Sequence, residues 1–176
     1  PSTPAVARGI GWLLANQSST TGEMPSSKEA HDWIYSHLLA TLALGEAQAL
    51  RPSPAVKDRL ALAVEVIFAA QNPEAGWRYE SPPMGESDTS VTAWAVAALF
   101  AARAAGIEAD FETAFEGARS CIYKVTEPET GRIGYSNLGE LSARTPENER
   151  FPREKGEAMT AAGLFARRLL GVPSSD

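Results

Sequence analysis

Two titratable and six aromatic side chains hold the chemistry this sequence offers. Asp88 stands in Ser87-Asp88-Thr89, directly before a long apolar run. A carboxylate there can accept the first N–H groups of a helix as its N-cap. His37 falls early on another apolar stretch, where it is either a hydrogen-bonded core histidine or an acid–base group. Trp33, Tyr35 and Trp94 lie on the most apolar segments. They either line a hydrophobic pocket with polar tips or pack as core. If Trp94 is core, its truncation to alanine costs about 3–5 kcal/mol. Trp77 and Tyr79 in Gly76-Trp77-Arg78-Tyr79, and Tyr135 in Gly134-Tyr135-Ser136-Asn137, complete the candidate ligand-binding set.

Metal chemistry finds little support. His31 and His37 are six positions apart, which does not put them on one helical face. No His-Glu-x-x-His occurs, and Cys121 is alone, so neither a disulfide framework nor a cysteine-rich zinc site can form within the chain. No metal and no cofactor is expected.

The elements that must position these residues are helices. A chain of 176 residues with 44% apolar residues builds one domain with a real core, here 1–176. A net charge of −6 without a basic run disfavours nucleic acid and anionic membrane surfaces. No apolar run reaches the ~18 residues of a transmembrane helix. No targeting segment is visible, and the start Pro-Ser-Thr-Pro without Met fits an excised domain or a mature form, so the compartment stays open.

Periodicity places helices over about 4–17, 30–50, 54–71, 89–105, 111–125 and 157–170. Thr3-Pro4 and Ser53-Pro54 are cap-plus-proline starts, Asp110 caps the fifth helix, and Gly106 and Gly171 are stops. The first, third and fifth helices carry one apolar stripe, whereas the second, fourth and sixth are apolar nearly all round. Alternation of one-sided with buried helices is the pattern of stacked helical hairpins, an inner layer covered by an outer one. The stretch from Gly131 to Gly156, with a charged run at Glu147 to Lys155, is long for a connection. It reads as a lid or partner-binding loop, or as a solvated excursion.

The outer helices end alike. Arg8-Gly9-Ile10-Gly11-Trp12-Leu13 leads to Gln17 and Gly22-Glu23-Met24. Ile67 leads to Gln71 and Ala75-Gly76-Trp77. Ile122 leads to Thr126 and Gly131-Arg132-Ile133. Gln17 and Gln71 are 54 positions apart, and Thr126 follows 55 later, which makes three degenerate copies of about 55 residues. The glutamine can bond unpaired backbone groups at helix ends, and the tryptophan can bury a large area over it.

This pattern resembles the QW repeat of squalene and hopene cyclases, with related repeats in protein prenyltransferase β subunits. The stretch from Trp77 to Trp94 looks like the corresponding part of bacterial cyclase-like proteins. The resemblance implies an all-α, α/α-toroid-like fold, with three helical hairpins in two layers. Six helices are about half of that family's ring, so the resemblance implies a partial toroid closed by a second copy or by a missing partner domain. The cyclase reaction starts from an acid in an Asp-x-Asp-Asp cluster, of which this chain offers only Asp88. The family's zinc ligands, and the Cys-Gly-Glu-Gln of toroidal thioester domains, have no counterpart. The expectation is a cyclase-like domain without the cyclase acid cluster, binding an apolar, isoprenoid-like molecule or a protein segment on its concave face. The alternatives are a half-domain of an isoprenoid cyclase or transferase, with Asp88 as acid assisted by His37, and a purely structural repeat module.

Overall fold

The computed structural model describes residues 3–25, 33–73, 75–141 and 156–173. His31, the start expected for the second helix at residues 30–32 and the charged run from Glu147 to Lys155 lie outside them. The described residues form six helices: α1 (Pro4–Asn16), α2 (Trp33–Leu50), α3 (Pro54–Ala69), α4 (Thr89–Ala104), α5 (Phe111–Lys124) and α6 (Ala158–Leu169). They contain no strand; an isolated bridge pairs Thr126 with Ile133. None of these helices is long and apolar enough to cross a membrane.

The helices pack in two layers. α2 lies on α4 and α4 on α6; α1 covers α2, α3 covers α2 and α4, and α5 covers α4 and α6. α2 and α4 run parallel. Tyr35 bonds Ser90 where both helices begin, and Gly45 meets Ala101 where both near their ends. A β-carbon on Gly45 would stand 3.0 Å from the Ala101 backbone, so glycine lets the two helices approach this closely.

The caps follow from side-chain chemistry. Thr3 accepts from Val6 N–H, Asp88 from Val91 N–H and Asp110 from Thr113 N–H. Ser53 departs from this: it makes no side-chain cap bond, and its N–H donates to Gln48 Oε1 at 2.8 Å instead. There the preceding helix closes the turn.

The three copies share one turn. Ser18 N–H donates to Glu23 C=O, Asn72 N–H to Gly76 C=O and Glu127 N–H to Arg132 C=O, at 2.9, 2.9 and 2.8 Å. The residue next after each pair, Met24, Trp77 or Ile133, is buried. Gly22 (φ 76°) and Gly131 (φ 71°) take the left-handed conformation of the longer turns, whereas the middle turn is one residue shorter and carries Ala75. The glutamines do not cap their own helices. Gln17 Nε2 donates to Gly22 C=O in its turn and to Arg59 C=O within α3, at 2.8 and 2.9 Å. Gln71 Nε2 repeats this with Ala75 and, within α5, Ala114, also at 2.8 and 2.9 Å. Each glutamine therefore clips its turn to the next outer helix. Thr126 bonds back to Ile122 in its own helix.

Two helices are less buried than their composition suggests. In α6 only Gly163 and Ala166 are fully buried, while Leu164 and Phe165 are about half exposed. α6 is the last helix of its row, so among the described residues its far side meets no further hairpin. α1 at the other end buries no residue fully and leaves Val6 and Trp12 exposed.

Candidate functional site

The beginnings of α2 and α4 and the turn after Ile133 bring tyrosines around one buried carboxylate. Asp88 is 0% exposed. Its Oδ1 accepts from Val91 N–H at 2.9 Å and from Ser90 O–H at 2.6 Å, and its Oδ2 accepts from Tyr135 O–H at 3.3 Å. The Tyr35 hydroxyl lies 2.7 Å from Ser90 Oγ, and the Tyr79 hydroxyl 2.7 Å from that of Tyr135. The rings of Tyr35 and Tyr79 are 6.1 Å apart and tilted by 55°. Arg78 Nε stands 4.0 Å from Asp88 Oδ2, and its guanidinium pairs with Glu86.

Backbone bonds lock this cluster in place. Asp88 N–H donates to Trp77 C=O at 3.0 Å, and Thr89 N–H to Tyr135 C=O at 2.9 Å. The Thr89 hydroxyl reaches Gly134 C=O at 2.6 Å, and the Trp33 indole N–H reaches Tyr79 C=O.

Burial sets the ionisation. It pushes Asp88 up from the usual carboxylate range, against the bonds from Ser90, Val91 and Tyr135 and the charge of Arg78, which pull it down. Desolvation is also the main reason that Tyr79 is pushed up to about 12 and that Tyr35 and Tyr135 are raised. The phenols therefore stay protonated at neutral pH and act as hydrogen-bonding groups.

From this cluster one face of the inner row runs open. Tyr35, Leu39, Leu42, Glu46 and Ala49 repeat at helical spacing along α2, and Ser90, Trp94, Ala97, Ala101 and Ala104 along α4. The α2 series spans roughly 20 Å at the ~1.5 Å rise per residue of a helix. Leu39 (45%), Trp94 (40%) and Phe165 (49%) stand exposed on these helices and α6. At the C-terminal end of the face lies a cavity of about 320 Å³, lined by Leu42, Gly45, Ala97, Phe100, Phe165 and Leu169 among others.

The candidate residues thus part company. Tyr35, Tyr79, Tyr135 and Asp88 meet. Trp33 is buried beside them, its ring 6.5 Å from that of His37. His37 is buried (1% exposed) and its Nε2 lies 3.0 Å from Ala63 C=O, which ties α2 to α3. Trp77 is wholly buried, with its indole N–H donating to Ile67 C=O at 2.7 Å, and so has no surface to offer a ligand. The core reading of Trp94 is overturned: small neighbours such as Ala97 and Ala98 close the helix contacts, and the indole projects onto the open face. Trp94→Ala is accordingly expected to cost about 1 kcal/mol, since much of its surface is already in water. A loss of about 3 kcal/mol or more in urea unfolding would contradict this placement.

Ser90 and Arg78 escape notice in the sequence, although a signal for Ser90 exists. Tyr35 and Ser90 are 55 positions apart, and Tyr79 and Tyr135 are 56 apart. Both bonds join equivalent positions of neighbouring copies, so adding the repeat period to each tyrosine finds its partner. No family model, no characterised protein and no solved structure matches the chain.

Proposed function

We propose that this chain is a cyclase-like binding domain that holds an apolar small molecule along the open face of α2, α4 and α6. The observation that carries this reading is the 320 Å³ cavity on that face, walled by small residues such as Gly45, Ala97 and Ala101. It is a half-open groove whose lining is mostly apolar, at the small end of the size range of small-molecule sites. The tyrosine cluster at the other end supplies the few polar groups that fix a ligand's orientation. An isoprenoid-like chain, flexible and hydrocarbon-rich, fits this layout.

The same reading treats the six helices as an open half of a ring. Leu164 and Phe165 at one end of the stack, and Val6 and Trp12 at the other, are apolar surfaces of the kind a second copy or a further domain covers. A part in cyclase or transferase chemistry, with Asp88 as the acid, has less in its favour. Both Asp88 oxygens accept hydrogen bonds from protein groups, which suits a cap more than an acid facing a substrate.

Titration with a neutral solvatochromic dye, followed by competition with farnesol, tests the binding reading. Saturable dye binding that farnesol displaces, and that Ala97→Trp weakens by filling the cavity, is the expected result. No saturable binding by either would end it.

A further inference from the structure

We infer that Asp88, Ser90, Tyr35, Tyr79 and Tyr135 form one closed ring of hydrogen bonds that Asp88 completes only in its protonated form, so that a single proton fastens four segments of the chain. This does not depend on what the open face binds.

Five links make the ring. Ser90 Oγ lies 2.6 Å from Asp88 Oδ1, and the Tyr35 hydroxyl 2.7 Å from Ser90 Oγ. The Tyr79 hydroxyl lies 2.7 Å from that of Tyr135, which in turn stands 3.3 Å from Asp88 Oδ2. The hydroxyls of Tyr35 and Tyr79 bond each other and close the ring. Tyr35 belongs to α2, Asp88 and Ser90 to the start of α4, Tyr79 to the connection before α4, and Tyr135 to the turn after Ile133. Each link needs one proton. A hydroxyl brings one, and an ionised carboxylate brings none. Four hydroxyls therefore fill four links, and the fifth sets lone pair against lone pair. Protonated Asp88 supplies the missing proton. It donates from one oxygen and accepts at the other, and every hydroxyl then donates once and accepts once, in either sense round the ring. The Val91 N–H adds a donor to Oδ1 and leaves the count unchanged.

The surroundings favour the protonated form. Asp88 is fully buried, and burial disfavours the charged carboxylate. Arg78 opposes this with Nε 4.0 Å from Oδ2, but its guanidinium is shared with Glu86. α5 faces the site with Cys121, whose thiol burial also pushes up. Tyr35 from α2, with Tyr79 and Tyr135, is raised too, so the phenols keep their protons while Asp88 titrates. Once Asp88 loses its proton, the bonds to the carboxylate are strengthened by its charge, and the open link falls between two hydroxyls. Each such link joins two different segments. The ring is therefore complete at low pH and opens into a chain as pH rises through the native titration of Asp88.

Infrared difference spectroscopy of the full chain against Asp88→Asn reads this proton directly, as the carbonyl stretch of a protonated carboxylic acid. Above about pH 6, where exposed carboxylates are ionised, the wild-type protein is expected to keep this band and Asp88→Asn to lack it. Tyr79→Phe decides whether the ring or burial alone holds the proton. It removes two links and one proton, so the three remaining hydroxyls fill the three remaining links without help from Asp88. The pH at which the band disappears is expected to fall by about one unit, the scale of a single hydrogen bond. Tyr35→Phe also removes two links and one proton. It should give the same shift, and it stands in if the Tyr79 variant does not melt cooperatively. Burial alone predicts the opposite sign, because either phenylalanine leaves the site more apolar. Absence of the band above about pH 6 in the wild-type protein, or a transition that neither variant lowers, overturns the inference.

Discussion

Trp77→Ala is expected to cost about 4 kcal/mol, within the range for truncating a fully buried tryptophan. The indole is 0% exposed and bonded to Ile67 C=O, so the variant loses both packing and a hydrogen bond. The hole cannot readily close. Trp77 N–H is held by the Thr92 hydroxyl at 3.1 Å, and its C=O by Asp88 N–H at 3.0 Å. With its backbone pinned to α4 on both sides, the turn cannot sink into the vacated volume. A domain of this size has a total stability of roughly 5–15 kcal/mol, so the variant sits near the limit of folding. Urea unfolding measures the loss, and a cost below about 1.5 kcal/mol would mean that the turn relaxes after all.

Removing the Asp88 carboxyl is the second large effect. Asp88→Ala deletes the cap of α4, which alone is worth about 1 kcal/mol. It also leaves the half-buried hydroxyls of Ser90 and Tyr135 without their acceptor, at about 1 kcal/mol each. The expected loss is about 3 kcal/mol. Asp88→Asn keeps an oxygen for Val91 and Ser90 and should lose much less. The two variants together separate the cap from the charge.

The charge has its own signature. Because burial raises the Asp88 pKa in the native state, the native protein holds this proton more tightly than the unfolded chain, where an aspartate titrates near ~3.9. The stabilisation from this proton is full below the unfolded value and is lost as pH rises through the native one. The stability difference between the wild-type protein and Asp88→Asn should therefore move in favour of Asn as pH is raised from about 4 towards neutral. A shift the other way would mean that Arg78 and the three donors outweigh burial.

Much of this was legible in the chain before any coordinates. Asp88 ahead of an apolar run announces a cap, and the recurrence of Gln17 and Gln71 announces equivalent turns. The helix bounds follow to within a few residues because prolines, caps and glycines mark them. Trp94 misled for a definite reason. On a helix rich in alanine every side looks apolar, and periodicity cannot tell which side meets another helix. α6 misled for a related reason: an apolar surface shows that burial is wanted, not that a neighbour is present. That the glutamines bond backbone groups was foreseen, but their reach to the next outer helix was not, because Arg59 and Ala114 contribute only backbone oxygen, which no side-chain pattern records. The tyrosine cluster was half legible, its members named but their meeting hidden until the repeat is carried through to the contacts.

α4 packs against α2, α3, α5 and α6 at once. In a simple solenoid each unit touches only its neighbours, and the array can come apart one unit at a time. Here the helix at the centre of the chain is shared by every hairpin, so no copy can detach without exposing α4. The repetition in sequence therefore hides an indivisible unit of folding: this chain should melt in a single step, and a cut within α4 should leave two fragments of which neither folds alone.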